Sequence, residues 1–212
     1  MNGGKALMKA LEKEGVKEVF GLPGGANLPM YDELYKSNIR HILVRHEQSA
    51  AHMADGFGRV SRKPGVCFAT SGPGATNLLT GIATAQADSA PMIAVTGQVP
   101  VNMIGRDAFQ ESDIIGMSNP CVKYAFQPRT PQEIPEAVKK GFYIAETGRP
   151  GPVLLDIPKD VQQNEAEITF PNEVRIPGYH PWTDVDITNI ERAVDLLLSS
   201  EKPIILAGGG TI

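Results

Sequence analysis

A chain of 212 residues has room for one full domain and the start of a second at roughly 100–200 residues per domain, and its 42% hydrophobic and 21% charged residues argue against intrinsic disorder. The net charge of −4 comes with scattered lysines and arginines, so nucleic acid is not an expected partner, and no apolar run approaches the roughly 18 residues of a membrane helix. Cys67 and Cys121 have no CxxC spacing or histidine partner, and residues 1–5 lack a secretory signal, so the chain reads as a soluble, cytoplasmic protein without a disulfide framework or zinc site.

Ala6, Leu7, Ala10 and Leu11 fall at helical spacing within residues 3–14, and Gly15 stands where a helix C-cap would. A short strand through Val19–Leu22 is broken by Pro23-Gly24-Gly25, and a helix follows near 28–36. Next come a strand Ile39–Val44, a helix 47–61 with Ala50, Ala51, Ala54 and Phe57 on one face, a strand Val66–Thr70 and a helix 76–87. Strand Met92–Thr96 leads into a long loop through 97–112, and a further strand runs around Val122–Phe126. Thr130-Pro131-Gln132-Glu133 reads as a capping box, although Pro135 would interrupt that first turn, so the helix ending near Thr147 starts at one or the other. Strand Val153–Ile157 closes the series.

Near-continuous Val, Ile and Leu strands alternating with helices belong to a parallel sheet covered on both faces. Residues 1–160 are therefore expected to form one α/β domain, doubly wound, with a sheet of about six parallel strands and helices on both faces. Residues 161–185, polar and carrying Pro171, Pro177 and Pro181, read as a linker. From 186 to 212 a helix capped by Asp186 and a strand Ile204–Ala207 read as the first unit of a second α/β domain, which 27 residues cannot complete.

Glycine (22) and proline (17) reach roughly 18% of the chain against an average near 12%. They gather where the expected strands end: Leu22-Pro23-Gly24-Gly25, Ser71-Gly72-Pro73-Gly74, Gly97-Gln98-Val99-Pro100 and Pro158-Lys159. Ligands of open α/β sheets bind outside those carboxyl ends.

Glu47 stands at a strand-to-helix junction on this edge. A carboxylate there complements the helix dipole, which is sufficient structural reason for it. Facing glycine-rich turns and alanine-rich helices it is also poorly solvated, the condition under which a carboxyl group can share a proton near neutral pH. The Gly72-Pro73-Gly74 turn invites a phosphate cradle, but it lacks the Gly-Lys-Ser/Thr ending of a P-loop and the GxGxxG spacing. Phe109 and Gln110 occupy a loop long enough to suggest function, with packing and plain surface as the alternative. Lys159 can be merely solvated. Arg149 can serve the dipole of the helix ending near Thr147, and His41, His46 and His52 have no ligand or triad pattern.

Arg45-His46-Glu47-Gln48-Ser49-Ala50-Ala51-His52-Met53-Ala54-Asp55-Gly56 together with Thr70-Ser71-Gly72-Pro73-Gly74-Ala75-Thr76-Asn77 resembles the pyrimidine-binding domain of thiamine-diphosphate enzymes. Pro23-Gly24-Gly25-Ala26, Gly97-Gln98-Val99-Pro100, Asp107-Ala108-Phe109-Gln110-Glu111 and Gly148-Arg149-Pro150-Gly151-Pro152-Val153 narrow the resemblance to the acetolactate synthase (acetohydroxyacid synthase) family.

The resemblance implies a transferase that condenses two 2-oxo acids, pyruvate with pyruvate or 2-oxobutanoate, in branched-chain amino-acid biosynthesis. Glu47 would bond the pyrimidine ring nitrogen of thiamine diphosphate and favour the tautomer that deprotonates the thiazolium ring. Pro23, Thr70, Pro73 and Asn77 would line that pyrimidine, with Gln110 a hydrogen-bond donor near the reacting centre. Gly25, Ala26, Pro100, Phe109 and Lys159 would line the substrate channel, and Arg149 would contact FAD. Leu22 stands where many relatives have Tyr, which weakens a ring contact at most. The family's Mg²⁺ motif, Gly-Asp-Gly with a later Asn, does not occur, and Asp55-Gly56-Phe57 does not replace it, so no metal ligand is expected in these residues. The expectation is an N-terminal part, inactive by itself, of a homodimer or higher homo-oligomer that leaves room for a regulatory small subunit. The other readings are a different thiamine-diphosphate carboligase, decarboxylase or oxidase, or a non-catalytic nucleotide-binding module, which a fully exposed Glu47 away from the 71–77 turn would favour.

Overall fold

A computed structural model describes residues 1–181 and 185–211, which divide into a unit of Met1–Pro177 and a second from Gly178 onward. In the first unit six strands form one parallel sheet: β1 (Glu18–Gly21), β2 (Arg40–Leu43), β3 (Gly65–Ala69), β4 (Met92–Gln98), β5 (Tyr124–Phe126) and β6 (Pro152–Pro158). Their order is β2-β1-β3-β4-β6-β5. β3, β4 and β6 are buried along their whole length, which explains their unbroken apolar runs, whereas the edge strands β2 and β5 are partly exposed.

One helical layer contains α1 (Gly3–Lys13), α2 (Leu28–Tyr35), α7 (Ile134–Glu146) and α8 (Lys159–Gln163), all packed around α1. The other contains α3 (Glu47–Ser61), α4 (Pro73–Asn77), α5 (Leu79–Asp88) and α6 (Ile114–Ser118). The core under this second layer is small-residue rich: Ala50, Ala51 and Ala54 of α3 meet Cys67 and Ala69 of β3 and Leu78, Ile82 and Ala85 around α5. Small side chains let α3 approach both sheet and α5 closely, and dispersion over that dense contact replaces the bulk of larger residues.

The expected helix 76–87 begins earlier, at Pro73, and is interrupted at Leu78. Proline is suited to a first helical turn, and Gly72 precedes it at φ +59°, a conformation that L side chains rarely adopt. Of the two starts left open for the helix after Thr130, the later applies: Pro131–Glu133 form a single 3-10 turn and α7 begins at Ile134. Glu133 instead accepts from Thr130 Oγ1 and from Arg129 N, both at 2.9 Å.

The residues read as a linker from 161 are ordered against the first unit at their start. Val161 and Gln162 are buried in α8, Ala166 N donates to Met1 O at 3.1 Å, and Lys13 Nζ lies 5.5 Å from the Phe170 ring centre. In the second unit α9 (Ile187–Ser199) is capped by Asp186, whose carboxylate accepts from Asn189 N at 3.1 Å. Ile204–Ala207, expected as a strand, makes no ladder among the described residues; a strand needs a partner for its backbone groups. No described helix is long and apolar enough to cross a membrane.

Candidate functional site

The chain steps from β1 to β2 on one side and then to β3 on the other, so the crevice of the fold opens at the carboxyl ends of β1 and β3. The connections after β1, β2, β3 and β4 converge there. Glu47 opens α3 directly after His46, whose Nδ1 accepts from Gln48 N at 3.1 Å and caps the helix. This cap gives His46 a structural role. The Glu47 side chain is only 8% exposed; Oε2 accepts from Asn77 Nδ2 at 2.9 Å, and Oε1 has no donor among the described residues.

Close backbone approach shapes the wall opposite. A Cβ on Gly74 would stand 2.7 Å from Thr70 Cγ2 and 3.2 Å from Glu47 Oε1, so only glycine leaves the carboxylate its space. A Cβ on Gly72 would stand 2.6 Å from Gln110 O, which places the 99–112 loop directly upon the 71–74 turn. Thr70 Oγ1 accepts from Ala26 N at 3.0 Å and joins the loop after β1 to the end of β3. Within that loop Asn27 is fully buried, accepting from Gly24 N at 2.7 Å and donating to Leu22 O at 3.3 Å.

Glu47, Thr70, Asn77, Ala26 and the backbone of Gln110 thus share one neighbourhood, with Pro73 exposed at the start of α4. Pro23 and Gly25 lie exposed in the adjacent turn. Pro100 and Lys159 follow β4 and β6 along the same edge. Gln162 of α8 ties this stretch to the rest by donating to Ala26 O at 2.8 Å and Ile157 O at 2.7 Å, while Asp160 accepts from Val101 N at 3.1 Å. Phe109 is 88% exposed, so its ring touches little of the first unit. Gln110 has a left-handed backbone at φ +57°.

Arg149 is elsewhere. It precedes β6, at the amino edge, and its Nε donates to Ser89 Oγ at 2.7 Å while Nη2 donates to Ala87 O at 3.0 Å. The helix end that it complements is therefore that of α5, not of α7 as its position in the sequence suggests. α7 is closed instead by Lys123, whose Nζ donates to Ile144 O and, at 2.7 Å, to Thr147 O.

Sequence reasoning passed over Asp156. Fully buried in β6, it accepts from Thr96 Oγ1 at 2.7 Å, Gln127 Nε2 at 2.7 Å and Gln98 Nε2 at 3.1 Å. Burial pushes its carboxyl up to about 6, the three donors opposing that rise. The available signal was an aspartate inside Val153-Leu154-Leu155-Asp156-Ile157, an ionisable residue in an otherwise apolar strand. Tyr31 was also missed; its buried hydroxyl has no partner among the described residues, and its ring meets His41 and Phe68 edge-on.

A fully exposed Glu47 apart from the 71–77 turn would have favoured a non-catalytic nucleotide-binding module; Glu47 is instead buried and bonded to Asn77. Comparison with known proteins matches residues 1–117 to the family described as thiamine pyrophosphate enzyme, N-terminal TPP binding domain. The whole chain is 58% identical to a protein of Methanocaldococcus jannaschii named a probable acetolactate synthase large subunit, covering 36% of it. It is 51% identical to the acetolactate synthase large subunit of Corynebacterium glutamicum, covering 34%, and 50% identical to the acetolactate synthase of Arthrospira platensis, covering 38%. The chain therefore spans about a third of the length of these curated relatives.

Proposed function

The chain belongs to the thiamine pyrophosphate enzymes through their N-terminal TPP-binding domain, and from that premise we propose that it supplies the pyrimidine side of an acetolactate synthase. The reaction would join two 2-oxo acids, pyruvate with pyruvate or 2-oxobutanoate, with loss of carbon dioxide, in branched-chain amino-acid biosynthesis. The observation that carries this reading is the half-used carboxylate of Glu47: buried, held through Oε2 by Asn77, and open at Oε1 beside the Gly74 cradle.

That arrangement fits an aminopyrimidine. A weakly basic ring nitrogen is served by a carboxyl group that shares a proton in a dry site, and Oε1 is the atom left for it. Asn77 fixes the carboxyl plane, so the proton is exchanged from a set position. Thr70 and Pro73 would wall the ring with Pro23, while Gly72 and Gly74 keep the backbone low enough to admit it. When bound, thiamine diphosphate supplies an acidic ring carbon and an electron sink for decarboxylation. Gln110 would donate a hydrogen bond near the reacting centre. Phe109, Gly25, Ala26, Pro100 and Lys159 would border the path of the 2-oxo acid and limit its access to water.

The same reading includes Mg²⁺, FAD, a homodimer or higher homo-oligomer, a regulatory subunit and a cytoplasmic location. Among the described residues no three or more of His, Cys, Asp and Glu are grouped to hold a metal ion, and Mg²⁺ enters no step assigned to these residues. FAD would meet Arg149 at the amino edge, apart from Glu47, and enters no step assigned to these residues. In a protein carrying this chain, Glu47→Gln is expected to lower turnover of pyruvate to acetolactate by about 10²–10⁴-fold with an unchanged circular dichroism spectrum. Near-normal turnover would overturn the assignment. A second reading, another thiamine-diphosphate carboligase, decarboxylase or oxidase, shares the Glu47 geometry and is separated by identifying the products made from pyruvate.

A further inference from the structure

The loop from Val99 to Ser112 carries Phe109 and Gln110, yet half of its residues are exposed and three of them, Gly105, Asp107 and Gln110, have positive φ. A segment of that kind holds one conformation only if it is pinned. Its interior is tied by Glu111, whose carboxylate accepts from Gly105 N and, at 2.9 Å, from Ala108 N.

Its two ends are tied by one side chain. Gln98, at the end of β4 and 2% exposed, accepts from Val99 N through Oε1 at 2.9 Å and donates through Nε2 to Ser112 O at 3.0 Å. The remaining Nε2 hydrogen goes to Asp156 Oδ2 at 3.1 Å. The carboxamide is thereby satisfied on every side in one orientation. Turned by half a revolution, it would set Oε1 against both Ser112 O and the carboxylate. Ionised, Asp156 can only accept, so with the Ser112 carbonyl it decides which way Gln98 faces, and Thr96 and Gln127 hold Asp156 in turn.

We propose that Asp156 is a positioning residue which, by orienting Gln98, clamps both ends of the 99–112 loop and so seats Gln110 on the Gly72 turn beside Glu47. The catalytic meaning of the clamp rests on the function proposed above; the coupling of loop to aspartate stands without it. A buried aspartate in the middle of a hydrophobic strand is costly unless it organises its surroundings, and here its three donors come from two elements: Thr96 and Gln98 of β4, and Gln127 of the segment after β5. Ser112 Oγ, at the clamped end, is buried without a partner among the described residues, so that residue is held through its backbone carbonyl, which accepts from Gln98 Nε2 and, within the chain turn, from Ile114 N at 2.9 Å.

Amide hydrogen exchange on the 212-residue chain without cofactor tests the proposal, with Asp156→Asn, Gln98→Leu and the double variant. Each single change is expected to speed exchange across 101–112 roughly tenfold, the equivalent of one lost hydrogen bond to a charged group, and to leave β3 amides unchanged. The double variant is expected to match either single one, because both remove the same clamp; a general loss of stability would add and would spread to β3. Unchanged loop exchange in a folded Gln98→Leu variant, or additive effects, would overturn the proposal even if Asp156→Asn failed to fold. Since no cofactor is present, failure here is distinct from failure of the Glu47→Gln turnover experiment.

Discussion

Asn77 Nδ2 donates to Glu47 Oε2 at 2.9 Å and so joins the last residue of α4 to the first of α3 across thirty residues of sequence. Removing the donor strips a buried carboxylate of the hydrogen bond that offsets its desolvation. Asn77→Ala is expected to lower stability by about 1.5–3 kcal/mol. Glu47→Gln should cost less, because a carboxamide can turn its oxygen toward Asn77 and leaves no buried charge. Urea denaturation of both variants measures the difference; equal losses would show that the pair contributes as neutral packing.

The sheet was legible because buried parallel strands write themselves as apolar runs, and β3, β4 and β6 are buried throughout. Glu47 and the Gly72-Pro73-Gly74 turn were legible because sharp strand-to-helix junctions concentrate special residues. The partner of Arg149 was not, since Ser89 and Ala87 are distant in sequence and no period connects them. Asp156 was hidden for the same reason: its donors come from β4 and from beyond β5, and only the folded sheet brings them together. Ile204–Ala207 has the composition of a strand, and composition does not provide a ladder partner.

Gly74 is constrained by space. Gly74→Ala would drive a methyl group to 2.7 Å from Thr70 Cγ2 and 3.2 Å from Glu47 Oε1, so overpacking is expected to cost about 1–3 kcal/mol. Gly56, within α3, has nothing within 4 Å of the corresponding position. There the substitution should stabilise by about 0.5–1 kcal/mol, because alanine loses less freedom than glycine on entering a helix. Thermal denaturation of the two variants should therefore shift in opposite directions, and a shared sign would contradict the close approach at Gly74.

Burial that pushes Asp156 up to about 6 makes the native chain hold this proton more tightly than the unfolded chain, where aspartate ionises near 3.9. The stability linked to it is fully present below about pH 4 and is lost as pH rises through about 6, an effect of about 3 kcal/mol. Carboxylates lowered by their partners, such as Glu33 beside Lys36 and Asn2, act in the opposite direction, so the quantity to follow is a difference. Stability of the wild type relative to Asp156→Asn, measured in urea at pH 4 and at pH 7, should fall by about 2 kcal/mol between the two, since unfolded aspartate is already half ionised at pH 4. A flat difference would mean that the aspartate is as easily ionised in the fold as outside it.

The two thiols should separate cleanly. Cys67 is fully buried in β3 between β1 and β4, and burial holds its thiol well above the ordinary range, so thiolate is scarce and no reagent reaches it while the sheet is intact. Cys121 is only half-buried in the turn before β5. An aromatic disulfide reagent at pH 8 is expected to titrate one thiol promptly and the second only with denaturant. The slow thiol's rate should track global opening of the sheet, because β3 is covered on both faces and cannot separate from β1 and β4 by local fraying. Equal prompt reaction of both in the native chain would mean that β3 opens independently, and the seat of Thr70 at its end would then be mobile as well.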